Sequence, residues 1–147
     1  MDAKKFVADF QLVGNTIRSL TVKNPVLVHL DDNCEYKRTL DISHEIVNIS
    51  HEDFGLLGVV KLSVKTSIGD ENGKLGINIV IEGAFTSKNA TEEQFATMLS
   101  INGIAALYSV VRSIVLGISA QSLTSGTIML PMINVYQYSK KVKPKTE

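Results

Sequence analysis

The side chains that most often bind metals or act as nucleophiles are few in this sequence and widely spaced. They are His29, Cys34, His44 and His51. Neither a Cys-x-x-Cys nor a His-Glu-x-x-His pattern occurs, so the spacings typical of zinc sites are missing. His44 and His51 are seven residues apart, which predicts that they lie on opposite faces of a regular strand. We therefore expect unligated histidines of strands and turns, with no metal and no catalytic residue.

Sequence patterns for other enzyme chemistry are also absent. Neither Gly-x-Ser-x-Gly nor Gly-x-Gly-x-x-Gly occurs. The stretch GDENG, residues 69–73, joins two predicted strands, whereas a phosphate-binding loop opens a helix. Glu92 and Glu93 lie in the first turn of a predicted helix, where carboxylates interact favourably with the helix dipole. An enzyme or a small-ligand domain is the class that the sequence supports least, and we expect no cofactor.

Composition predicts a single domain in a reducing compartment. A chain of 147 residues is long enough to bury roughly two thirds of its unfolded surface in one core. Its 15 basic and 15 acidic side chains cancel, so charge gives no argument for nucleic acid or an anionic membrane as a partner. Cys34 is the single cysteine and excludes an intrachain disulfide.

The N-terminus and the apolar stretches of the sequence predict a cytoplasmic protein that does not insert into a membrane. The N-terminus lacks the apolar run of a signal peptide. The most apolar window, residues 104–118, is shorter than the about 20 residues that span a bilayer, and it contains Arg112.

The first half of the chain predicts two strands and a long connection. Residues 6–22 alternate and then slip phase near Gly14, which indicates an edge strand with a β-bulge. Residues 26–38 have a mixed pattern, which we interpret as an irregular connection. A second strand then begins near Leu40.

The next two strands have the clearest pattern in the sequence. Residues 56–68 and 75–85 alternate between apolar and polar side chains, which predicts a hairpin with one buried face and one wet face. Residues 69–73 form its predicted loop, because they are rich in types that tolerate positive φ.

Two helices are predicted after the hairpin. Thr91 is an N-cap, and Gly103 interrupts the first helix before a second one spans about residues 104–121. The second helix has an apolar stripe typical of packing on a sheet. Its opposite side carries small side chains, which let another backbone approach closely, so we expect a partner subunit there. The predicted oligomer contacts are Ala105, Ser109, Ser113, Leu116 and Ala120.

This order of elements predicts an α+β fold, in which two helices pack on one face of a four-stranded antiparallel sheet. Residues 1–139 would form the domain. The basic tail, residues 140–147, is predicted to be disordered.

Several short motifs follow one another in a recognisable order. A strand ending in Gly-x-Phe leads through Glu-Glu-Gln into the first helix, and two further motifs open and follow the second helix. The residues concerned are Gly83, Phe85, Glu92, Glu93, Gln94, Leu99, Leu107, Tyr108, Val111, Arg112, Pro131, Ile133, Asn134 and Val135. Residues 16–25 and 59–68 add two strand segments. In order and spacing the chain resembles a divergent member of the SecB family of protein-export chaperones.

The resemblance implies a dimer of dimers whose helices lie between outward-facing sheets. It also implies an ATP-independent holdase, which captures unfolded or non-native polypeptides in long apolar grooves. The residues that would line these grooves are Val26, Leu27, Val28, Leu30, Tyr36, Met129, Met132, Ile133, Val135, Tyr136 and Tyr138. Flexible Met and amphipathic Tyr side chains suit a surface that accepts many sequences.

The sequence also departs from the family. Acidic residues that help dock the export motor in the family are matched here by Ser19 and Lys23, and the tail is basic. Ser109 and Val110 replace the proline and aromatic residues of the long-helix motif. Binding to the export motor is therefore doubtful. The alternative to a general holdase is a dedicated protein-binding module on the same fold, such as a toxin–antitoxin-associated chaperone or a phage-encoded interaction protein.

Overall fold

A long antiparallel sheet forms the body of the protein, for which a computed structural model describes residues 8–24, 36–141 and 145–146. The strands are β1 (Gln11–Lys23), β2 (Lys37–Glu52), β3 (Gly55–Asp70), β4 (Gly73–Ser87) and β5 (Lys145–Thr146). Their order across the sheet is β1-β4-β3-β2-β5. The four long strands pair antiparallel, and the two-residue β5 is parallel to β2. The predicted four-stranded antiparallel sheet is confirmed.

The β3–β4 hairpin is the centre of the core. Its helix-side residues alternate with wet ones as predicted, and the fully buried members include Leu62, Ile68, Leu75, Ile77, Ile79, Ile81 and Phe85. The turn is tighter than the predicted loop, because Asp70 pairs with Gly73 and leaves only two residues between the strands. The Asp70 carboxylate accepts a hydrogen bond from the Asn72 backbone N–H at 2.8 Å, which stabilises this turn.

The two outer long strands are irregular. In β1 the register shifts between Leu12 and Gly14, at the predicted bulge, and shifts again between Ile17 and Ser19. In β2 it shifts between Ile46 and Asn48. Each bulge adds a residue without a partner and so moves the following side chains to the other face.

One continuous helical rod crosses the sheet. It consists of α1 (Glu92–Met98), a π-helical turn (Leu99–Gly103) and α2 (Ile104–Ser122). The rod begins at a capping box: the Thr91 hydroxyl accepts from the Gln94 N–H, and the Gln94 side chain accepts from the Thr91 N–H. The second helix begins at Ile104 as predicted, but the interruption before it is a π turn and not a break, because Gly103 keeps helical φ and ψ.

The π turn has a packing reason. Buried rod positions recur every fourth residue, at Phe95, Leu99, Gly103, Leu107, Val111 and Val115. This repeat is longer than the 3.6 residues of an α-helical turn, so a wider π turn brings the buried stripe back onto the sheet. Gly58 and Gly83 allow close approach, because a Cβ on either would lie 2.6 Å from a Leu99 or Leu107 side-chain atom.

At 31 residues the rod is longer than the apolar window recognised in the sequence. Among the described residues it is the one helix that is long and apolar enough to cross a membrane by length and composition. The core helix of a sheet-packed domain satisfies the same criterion, and here one side of the rod forms that core.

After α2 the chain runs back along the rod without regular structure and ends in α3 (Val135–Lys141). Asn134 caps α3, since its side-chain oxygen accepts from the Gln137 N–H at 3.0 Å. The predicted disordered tail starts inside this helix, which includes residues 139–141, and β5 pairs with Glu45 and Ile46 of β2. Ordered structure therefore extends past the predicted domain boundary.

Candidate functional site

The most distinctive surface is built by residues 123–134, which we call the return segment. Three α2 side chains hold its backbone. Tyr108 donates its hydroxyl hydrogen to the Pro131 carbonyl, and Arg112 Nε donates to the Leu130 carbonyl at 2.9 Å. Ser119 Oγ accepts from the Ile128 N–H at 2.7 Å. These bonds satisfy an otherwise irregular backbone and fix the direction in which its side chains point.

Side chains of the return segment alternate between the core and solvent. Ile128 and Leu130 are buried, while Met129 is 64% exposed and Met132 is 84% exposed. The buried pair anchors the segment, because full burial of an aliphatic side chain stabilises a protein by about 1.5–3 kcal/mol. The two methionines are thus held at the surface by a fixed backbone.

A groove of about 320 Å³ separates the return segment from β2 and β3, and we call it the β2 groove. Its walls are mainly apolar. The lining residues are Arg38, Thr39, Leu40, Thr66, Ser67, Ile68, Ile128, Met129, Leu130 and Pro131. The Thr66 hydroxyl donates to the Thr39 carbonyl at 2.9 Å and is therefore satisfied inside the wall. Such a volume accommodates a few side chains rather than a large ligand.

α3 contacts β2 through a hydrogen bond between two side chains. His44 Nδ1 and the Tyr138 hydroxyl share a hydrogen bond of 2.9 Å, and His44 is buried. Burial lowers the pKa of His44 and raises the pKa of Tyr138. His44 Nε2 has no hydrogen-bond partner within the part of the chain that the structure describes. Both side chains are therefore neutral near pH 7.

The predicted groove residues fall into three groups. Met129, Met132 and Tyr136 are exposed. A second group is half-buried and packs against the core, namely Tyr36, Ile133, Val135 and Tyr138. The third group, Val26, Leu27, Val28 and Leu30, lies outside the described residues. Of the described groove residues, the first group is therefore the one that is exposed to a partner in the single chain.

The predicted oligomer contacts share one side of α2. Ala105, Ser109, Ser113 and Ala120 are exposed, and Leu116 is half-buried. This side meets the return segment at a notch of about 110 Å³, where Ala105 and Ser109 face Met132 and Ile133. The two predicted surfaces are therefore neighbours.

Sequence reasoning missed the tethering role of α2. In the sequence, Tyr108 and Arg112 belong to the motif that opens the second helix, and that motif does not indicate a contact with the return segment. Tyr108, Arg112 and Ser119 are spaced i, i+4 and i+11, which places them along one face of a helix. Three polar side chains at that spacing, next to an apolar stripe, are the signal that could have revealed the contact.

A second missed feature is an uncovered aliphatic row on β1. Leu12, Ile17 and Leu20 pair with Phe85, Ile81 and Ile79 of β4, so they lie on the helix side of the sheet. The rod does not reach them. Leu12, Ile17, Leu20 and Val22 are between 37% and 44% exposed.

The histidine prediction needs a correction. His44 pairs with Leu62 and His51 pairs with Leu56, and both leucines face the core. The prediction of opposite faces was wrong, because the β2 bulge after Ile46 changes the phase between the two histidines. His51 Nε2 lies 3.2 Å from the Glu92 carboxylate on α1, in an exposed contact.

The outward face of the sheet carries balanced charges. Glu45, Lys61 and Glu82 lie opposite one another across β2, β3 and β4. Arg18 on β1 completes the row, with Nε 2.8 Å from Glu82 Oε2. Alternating signs compensate each other locally, so this face presents no acidic patch. Across residues 8–24 and 36–141, no three His, Cys, Asp or Glu side chains form a group that could hold a metal ion.

Comparisons with known proteins agree with this architecture. No family model and no curated protein matches the sequence. The solved structure of the Mycobacterium tuberculosis Rv1957 SecB-like chaperone, in complex with a ChAD peptide from the Rv1956 HigA1 antitoxin, is similar with a TM-score of 0.65. Identity is 15%, and the match covers 89% of this chain and 96% of that chain. A protein of unknown function from Streptococcus agalactiae matches with a TM-score of 0.47, 10% identity, and 84% and 97% coverage. The first match confirms the predicted SecB-like fold.

Proposed function

We propose that this SecB-like domain is a holdase that binds extended, non-native polypeptide segments along the β2 groove. One observation carries the proposal. The return segment is fixed by buried anchors and by hydrogen bonds from α2, yet it presents Met129 and Met132 to solvent beside an apolar groove. A rigid backbone that displays flexible thioether side chains suits binding to many apolar sequences.

The binding energy would come from many weak contacts. Apolar side chains of a client would be removed from water at roughly 25 cal/mol per Å² of buried surface. The outer edge of β2 can contribute main-chain hydrogen bonds, because β5 pairs with only two β2 residues, Glu45 and Ile46. Neither contribution needs a nucleotide, and the sequence contains no phosphate-binding loop, so the proposed activity is ATP-independent.

We further propose that the protein is a homo-oligomer, with a dimer of dimers as the arrangement implied by the family resemblance. The exposed small side of α2 and the aliphatic row of β1 are the two surfaces that suit a second copy. Ser109→Glu and Ala120→Glu would each bury an unpaired charge if α2 forms the contact. Light scattering should then report a lower mass, whereas an unchanged mass in both variants would exclude α2 from the interface.

Aggregation of an unfolded model client tests the holdase proposal. Stoichiometric amounts of the protein should suppress light scattering by the client, and Met129→Asp should weaken this effect because it places a charge in the groove wall. Thr21→Asp is the matched control, since Thr21 is exposed on the outward side of β1. Absence of suppression by the wild-type protein would contradict the proposal.

A dedicated binding module is the second candidate function. The similar Rv1957 structure is a complex with a peptide from an antitoxin, and the β2 groove holds only a few side chains. Affinity capture distinguishes the two functions: many unrelated unfolded chains favour the holdase, and one recurring partner favours the specialist. We propose a cytoplasmic location for either function, supported by the single cysteine. Docking on an export motor is not proposed, because the outward sheet face has balanced charges.

A further inference from the structure

The helical rod after its first turn, the return segment and α3 carry cations but no carboxylates. From Gln94 to Thr146 the sequence contains no aspartate or glutamate, but it contains Arg112, Lys140, Lys141, Lys143 and Lys145. The rod beyond its first turn, the return segment and α3 therefore contribute only cations to this side of the molecule. The overall charge of the chain is zero, so the excess of cations here is balanced by carboxylates placed elsewhere.

Arg38 is the cation that lines the groove itself. It pairs with Ile68 across β2 and β3, on the helix side of the sheet, and its side chain is exposed. Within the described residues its guanidinium has no hydrogen bond and no ion pair. Arg18, on the outward face, is paired by contrast, because its Nε lies 2.8 Å from Oε2 of Glu82. Among the described residues, the five donors of Arg38 therefore have no partner, and they lie beside the apolar walls formed by Leu40, Ile68 and Met129.

We propose that the β2 groove selects extended segments in which a carboxylate lies next to apolar side chains, and that Arg38 binds this carboxylate. The inference rests on the proposed function and specifies the class of client. Apolar side chains entering the groove would exclude water near Arg38, which strengthens its attraction for a carboxylate. The planar guanidinium also matches a carboxylate in a bidentate geometry. A lysine at the same client position would be repelled by Arg38.

Two fluorescent peptides that differ only in the sign of their charged residues test the proposal. Both carry the same apolar residues, and one has glutamate where the other has lysine. At low ionic strength the glutamate peptide should bind about threefold to tenfold more tightly, as expected for a partly exposed charge pair. The difference should shrink as salt is added, because screening weakens exposed charge pairs. Anisotropy titrations measure both quantities.

Substitutions of Arg38 test whether this residue causes the preference for the glutamate peptide. Arg38→Gln should abolish the preference, and Arg38→Glu should reverse it. Lys65→Gln is the matched control, because it removes one positive charge from the outward face of β3 and should leave the preference intact. Thermal unfolding verifies that each variant is folded, and the comparison of the two peptides on wild-type protein needs no variant.

The outcomes of these titrations distinguish failure of the proposed function from failure of the carboxylate selection. If neither peptide binds, the proposed function fails and this inference fails with it. If both peptides bind with equal affinity, or if Arg38→Gln keeps the full preference, the groove still binds peptides but the carboxylate selection is overturned.

Discussion

The two flanks of the helix-covered sheet face differ in how their apolar residues are presented. On the β1 flank, Leu12, Ile17, Leu20 and Val22 are exposed on a bulged edge strand that no other described element covers. On the β2 flank, the return segment covers the sheet and presents Met129 and Met132 instead, and Tyr136 of α3 is also exposed. The first surface is a row of aliphatic side chains on a bulged edge strand, whereas the second is a groove bordered by flexible methionine side chains.

This difference indicates two kinds of partner. A stiff aliphatic row on an edge strand is an aggregation hazard unless one constant surface covers it, and a second copy of the chain is such a surface. The β2 flank can repack around different side chains, so it suits partners that vary. We therefore assign constant contacts to β1 and to the small side of α2, and variable contacts to the β2 groove.

The largest effect is expected from substitutions that place charges on the β1 flank. Ile17→Asp combined with Leu20→Asp would bury two unpaired charges in the proposed contact between copies, which should raise the dissociation constant at least about a hundredfold. Light scattering at a fixed concentration should report a smaller mass. Thr16→Asp combined with Thr21→Asp places the same charges on the outward face and should keep the wild-type mass. A wild-type mass in both double variants would remove β1 from the interface.

A smaller effect is expected from loosening the β2 flank. Arg112→Gln removes the donor that holds the Leu130 carbonyl, and loss of a partly buried hydrogen bond to a charged group should lower the free energy of unfolding by about 1–2 kcal/mol. Arg18→Gln is the control, because it removes an exposed ion pair from the outward face and should change stability much less. Urea unfolding measures both values. Equal losses would show that the return segment is not held by Arg112.

The smallest expected effect is a pH dependence confined to the β2 flank. The pKa of His44 is lowered from its ordinary value of 6.5 by burial, so the unfolded chain takes up a proton at a higher pH than the folded one. The stability that the neutral imidazole contributes is complete above pH 6.5 and is lost as the pH falls through the folded pKa. The melting temperature should therefore decrease more in wild type than in His44→Gln between about pH 7.5 and pH 5.5. Identical pH profiles would contradict this assignment.

Local pattern was sufficient to predict the fold but not the site. The β3–β4 hairpin was predictable because Leu62, Ile79 and their apolar neighbours alternate with residues on the solvent-facing side of the sheet. The return segment has no such period, since its conformation is imposed by Tyr108, Arg112 and Ser119 on a separate element. The sequence of the return segment itself therefore does not predict its conformation, and the available signal lies in the spacing of the three polar side chains on α2.

The remaining errors have similar physical causes. A single extra residue in β2 brought His51 onto the face of His44, and sequence spacing alone does not reveal such a bulge. Gly103 has a low helix propensity, yet it stays helical because the π turn places it against the sheet. The alternation in β1 predicted an edge strand but not which side chains would be covered, and only the position of the rod shows that the aliphatic row is exposed.

Site-specific photo-cross-linking tests the central division between the flanks most directly. A photoreactive amino acid is introduced at Met129 in one variant and at Leu20 in another, and each is irradiated with an unfolded client. We expect client adducts at position 129, and adducts between copies of the protein at position 20. Client adducts at position 20 with none at position 129 would contradict this division.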